Sequence, residues 1–86
     1  MPVVRYELTS HAATVVAVRS IGLRWFTRVM RQPERTEQDP HDPSLTHALA
    51  SIEERDQRVL RVVYNASADP VRVVTVYFDR RQRGKT

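Results

Sequence analysis

Cleaving an RNA strand without a metal needs a base for the 2′-hydroxyl, a cation for the charge gathering at phosphorus and an acid for the leaving oxygen. Four residues of this chain are candidates for that work: His11, Arg19, Arg61 and Tyr77. A neutral His11 imidazole could accept the proton. Arg19 follows eight residues later, about two turns along the same side if the segment is helical. Arg61 and Arg72 fall on two strongly β-branched runs that read as neighbouring strands, and Tyr77 could donate a proton or stack on a base. Each residue also has a plainer use. His11 could bond to backbone or to a strand, and Arg19 could pair with Glu7 or Glu53. Arg61 could pair with a carboxylate across the sheet, and Tyr77 could complete the core.

Other constellations are weaker. Glu53, Glu54 and Asp56 could replace histidine as the base, although a charge run at a turn is usually solvated. His41 and His47 with Asp39 and Asp42 could be drawn as a metal site, but an acidic, proline-rich loop offers no preorganised cage. No metal or cofactor is expected. A phosphate-cradling glycine loop, a dinucleotide turn or a nucleophile elbow would need glycines, and only Gly22 and Gly84 are present.

With 86 residues the chain has room for one modest core. It has no cysteine, so disulfide frameworks and thiolate metal sites are excluded. No apolar run reaches the roughly 18 residues of a membrane span. No signal-peptide pattern opens the chain, so the expectation is a cytoplasmic protein that does not enter membranes. The net charge is +4. Residues 1–33 carry five arginines against Glu7, and residues 57–86 carry six arginines and Lys85 against Asp69 and Asp79. Between them, residues 34–56 hold seven carboxylates and two arginines. Two basic flanks around an acidic middle could converge into one basic face, and arginine favours planar, bidentate phosphates and carboxylates.

These residues need elements to position them. Val3 to Leu8 reads as a strand running into Thr9 and Ser10, good helix caps. A helix over Ser10 to Arg19 places Ala12, Val15, Val16 and Arg19 at helical spacing, and a second from Leu23 carries Leu23, Phe26, Val29 and Met30 until Pro33 ends it. Pro33 to Thr46 is a polar loop with room for a short strand near Arg35 to Asp39. Leu45 to Glu54 suits a helix or a strand, and a strand is preferred. Arg58 to Asn65 and Val71 to Asp79 form a hairpin. The expected fold is α+β, in the order β-α-α-β-β-β, with two helices packed on one face of an antiparallel sheet. Leu23, Phe26, Met30, Leu60, Val62, Val74 and Val76 should share its core. The domain is expected over residues 1–79. Residues 80–86 should be a basic tail whose Arg80, Arg81 and Arg83 could join Arg72 in holding nucleic acid.

His11-Ala12, Arg19-Ser20-Ile21, Phe26, Pro33-Glu34, Arg58-Val59-Leu60-Arg61-Val62-Val63 and Val73-Val74-Thr75-Val76-Tyr77 occur in an order that resembles the bacterial family called domain of unknown function 4258. The resemblance runs from Tyr6 to Tyr77. That family often has an Arg one turn after the histidine, where this chain has Val15, and a Gly where it has Ser20. The element order also looks like the fold of RelE, ParE and BrnT toxins, a resemblance that implies a small basic toxin. On that reading the chain would be a metal-independent endoribonuclease acting on RNA or ribosome-associated RNA, held in check by a small acidic antitoxin-like protein. The rival expectation is a non-catalytic module that binds nucleic acid or protein through its arginines.

Overall fold

Thr9 ends a short strand and starts a helix, as its residue type predicts. Its hydroxyl accepts a hydrogen bond from the Ala12 amide at 3.2 Å and donates to the Val74 carbonyl at 3.0 Å. One side chain thus caps the helix and fixes its start to a strand 65 residues away. The computed structural model describes residues 6–68 and 70–79. Its elements are β1 (Tyr6–Leu8), α1 (Ser10–Val18), α2 (Leu23–Arg31), β2 (Arg35–Gln38), β3 (Thr46–Ile52), a 3-10 turn at Glu53–Arg55, β4 (Arg58–Asn65) and β5 (Val71–Asp79). The expected tail, with Arg80, Arg81 and Arg83, lies outside the described residues.

The architecture is α+β, with two helices and one five-stranded sheet in the order β1-β5-β4-β3-β2. Two expectations need correction. The sheet is mixed rather than antiparallel, because β1 lies parallel to β5 with Tyr6 opposite Val71 and Leu8 opposite Val73. Both helices and three strands lie between these partners and supply the long crossover that a parallel pair requires. The order β-α-α-β-β-β also gains a strand, because Arg35–Gln38 pairs along β3 with Glu37 opposite His47. Leu45 to Glu54 contains a strand, as preferred, and then turns at Asp56 and Gln57, both held at φ 60°.

The hairpin forms over the residues its β-branched runs mark. Between Val63 and Tyr64 the β4–β5 register shifts, so Val63 faces Thr75 while Tyr64 faces Val73. The bulge leaves Val74 as the extra residue and turns Val73 inward. Val73 is therefore fully buried and Val74 only partly, which reverses the expected assignment. The core joins Ala12, Phe26 and Val29 to Ala48, Ala50, Ile52, Leu60, Val62, Val73 and Val76. Met30 packs against its margin. Leu23 does not belong to it and is 69% exposed. As the first residue of α2 it precedes the buried stripe that begins at Trp25 and Phe26, and its own face of the helix turns outward.

Candidate phosphate and base contacts

The alternate positions of β4 and β5 carry the polar chemistry. Val59, Arg61 and Val63 alternate with Leu60 and Val62, and Thr75, Tyr77 and Asp79 alternate with Val76 and Phe78. Register places Arg61 opposite Leu49 on β3 and Tyr77 on β5.

Arg61 is only 5% exposed, and its charge is matched on two sides. Its Nε donates to Asp79 Oδ2 at 2.9 Å, and its Nη2 lies 2.8 Å from the same oxygen. Nη1 donates to Glu37 Oε1 at 3.1 Å and to His47 Nδ1 at 2.6 Å. A guanidinium can only donate, so Nδ1 of His47 must be bare and Nε2 must carry the hydrogen directed to Asp39 Oδ1, 2.7 Å away. Burial works against the charge on Arg61, but the bonds to Asp79 and Glu37 outweigh it and raise its pKa above the usual arginine value. Asp39 is held below the ordinary carboxylate range, first by the bond from His47 and then by the Asp42 and His41 amides. The residues once drawn as a metal cage thus fold the loop and anchor it to the sheet. Arg61 could turn to a phosphate only by releasing these partners.

The other three candidates lie along one strip, where α1 runs beside β5. His11 is exposed in the first turn, and its Nε2 is 3.2 Å from Thr75 Oγ1. Arg19 caps the far end of α1 and lines a cleft of about 280 Å³ with Arg55, Arg58, Tyr77 and Phe78. Of its plainer uses, pairing with Glu7 or Glu53 is not seen: Arg19 makes no ion pair among the described residues. Arg58 makes none there either, and Arg55 lies over the rings of Trp25 and Phe78 at 5.6 and 5.5 Å. Arg72 is exposed opposite Glu7 and Asn65, five positions before Tyr77 on β5. That separation is about 17 Å along a strand, so Arg72 lies away from the cleft.

Sequence reasoning missed Arg55 and Arg58 as partners of Arg19 and Tyr77. The available signal was their position at the β3–β4 turn, next to a strand whose neighbour carries Tyr77. The turn is held from outside by Arg28, whose two Nη atoms donate to the two Glu54 oxygens at 3.0 and 2.9 Å. This bond from Arg28 lowers Glu54 to about 2. Because the folded value lies below the unfolded one, the contribution of the pair is complete above about pH 4.5 and is lost as pH falls toward 2. In an NMR titration the Glu54 carboxyl should turn over near pH 2, and in Arg28→Met at a higher pH, toward the ordinary value of 4.5. An unchanged midpoint in the variant would show that the bidentate pair does not hold the turn in solution.

Residues 8–78 match the family described as Domain of unknown function (DUF4258). The chain belongs to this family. The match takes in His11, Arg19, Arg55, Arg58, Arg61 and Tyr77, so both the buried arginine network and the cleft lie within the DUF4258 domain. No curated protein and no solved structure matches the chain. Among the described residues of this DUF4258 protein, no helix is long and apolar enough to cross a membrane.

Proposed function

We propose that this DUF4258 protein acts on RNA, gripping a single strand along the α1–β5 strip and cleaving it without a metal in the manner of RelE-like toxins. The observation that carries the reading is the line from His11 on Thr75 to Arg19 beside Tyr77. His11 has one nitrogen on the Thr75 hydroxyl, which orients the ring, and no partner for the other among the described residues. It serves as the base for a 2′-hydroxyl, whose oxygen bonds to phosphorus as the bond to the 5′-oxygen breaks, and water supplies the proton to that leaving oxygen. Arg19 and Arg58 hold phosphates and Tyr77 contacts a base at the end of the strip away from His11. The analogy with RelE-like folds draws on the helices covering one face of the sheet, an arrangement favoured by Ala12, Phe26 and Val29 sharing one core cluster. A small acidic protein is the partner that the basic surface suits.

The test is cleavage of total cellular RNA in the presence of a chelator. The parent should cut, His11→Ala should cut about 10² to 10⁴ times more slowly with an altered pH profile, and both should melt alike. Full activity in His11→Ala would remove the histidine from the reaction. A second reading, a module that binds RNA without cutting it, is favoured by one observation: Arg61 is neutralised by Glu37 and Asp79 and brings no unmatched charge to the sheet. Retained RNA binding with no cleavage, and no growth arrest on expression in a bacterial host, would decide for it.

A further inference from the structure

The cleft between α1, the β3–β4 turn and β5 gathers three guanidinium groups with two aromatic rings. None of Arg19, Arg55 and Arg58 forms an ion pair among the described residues. On the other side of the same turn, Glu54 and Asp56 line a separate shallow pocket with Arg55 and Arg58, but Glu54 is engaged by Arg28. Gathering like charges opposes folding, and a bound anion would relieve the repulsion. Arg55 is held by Trp25 and Phe78, and so forms a wall. Arg19 and Arg58 remain as the donors, and the half-exposed ring of Tyr77 is the aromatic surface left beside them.

We propose that this cleft is a mononucleotide subsite, with a phosphate gripped by Arg19 and Arg58 and a base stacked on Tyr77. The inference rests on the reading of the chain as RNA-directed and specifies what one end of the strip takes. Arginine forks match phosphate oxygens in pairs, and stacking on an aromatic ring accepts any base. The volume, about 280 Å³, lies at the lower edge of ligand pockets and suits one nucleotide better than several. The larger hollow along α2, lined by Arg24, Thr27, Arg28, Arg31 and Gln32, has no aromatic surface for a base.

Trp25 is the chain's single tryptophan and touches Arg55, so its emission reports on the cleft. Adenosine 5′-monophosphate titrated into the full chain should shift that emission saturably. Adenosine and inorganic phosphate, each carrying half of the recognition, should bind at least about tenfold more weakly. Arg58→Ala and Tyr77→Ala should each weaken the nucleotide about tenfold or more, and Arg24→Ala on α2 should not. Arg19→Ala, an exposed position, provides a variant that should stay folded if Arg58→Ala does not. The absence of saturation at millimolar nucleotide, or equal affinity in Arg19→Ala and the parent, would overturn the subsite. Nucleotide binding without RNA cleavage would leave the subsite standing and remove the ribonuclease reading. Cleavage without nucleotide binding would do the reverse.

Discussion

Arg61→Ala should lower the unfolding free energy by about 3–5 kcal/mol, because it takes the guanidinium away from a buried carboxylate. Asp79 is 4% exposed, and two nitrogens of Arg61 face one of its oxygens. Glu37 and His47 lose a donor at the same time, and through His47 the loss reaches Asp39 and the proline-rich loop. A domain of this size is stable by only about 5–15 kcal/mol in total, so a large part of the variant population should unfold at moderate urea. The urea midpoint is the measurement. Arg61→Lys keeps a charge but not the planar fork and should recover only part of the loss. The double variant Arg61→Leu with Asp79→Leu removes both charges of the closest pair and should be more stable than Arg61→Leu alone. A midpoint for Arg61→Ala equal to the parent's would mean that the network contributes nothing to stability. If the proposed RNA cleavage is measured, the rate left in this variant has to be divided by the fraction still folded before Arg61 is given a chemical role.

Phe26→Ala should be comparably severe for a different reason. The ring is 4% exposed, meets Tyr6 edge-on at 5.4 Å between centroids and belongs to the cluster that ties α2 to β3 and β4. Deleting it leaves a cavity bordered by β1 and the sheet, at about 3–5 kcal/mol. For a domain of under 100 residues that corresponds to a fall in Tm of about 15 °C or more. Leu23→Ala, three residues earlier on the same helix, should stay within about 0.5 kcal/mol, since Leu23 is largely exposed. Thermal melts of the two variants side by side test the assignment of the buried face. Equal melting points would contradict it.

Local chemistry made much of the fold legible. Thr9 announces α1, and the runs RVLRVVYN and VRVVTVYFD mark β4 and β5 over the residues that form them. What stayed hidden depends on pairing between distant segments. Nothing near Tyr6 says that it will lie parallel to Val71, and nothing in VRVVTVYFD says that Val74 will bulge and pass its inward position to Val73. The site divides in the same way. His11, Arg19 and Tyr77 could be chosen by residue type, but the state of Arg61 could not, because Glu37 and His47 reach it only after β2 and β3 have paired. One hint was available. A lone arginine among valines on a strand buried on both sides needs a carboxylate, and Asp79 has the matching parity on the neighbouring strand.

The parallel pairing of Tyr6–Leu8 with Val71–Val73 also governs the order of events in biosynthesis. Strand β1 is made well before its hydrogen-bonding partner, which follows 65 positions later for the Tyr6 and Val71 pair. Closing so long a loop is slow, and no fragment ending before Val71 can seat β1 or anchor the Thr9 cap on the Val74 carbonyl. The strip is assembled at the same moment, since His11 and Arg19 come from the early part of the chain and Thr75 and Tyr77 from the late part. The strip therefore does not exist on a nascent chain until β5 has emerged.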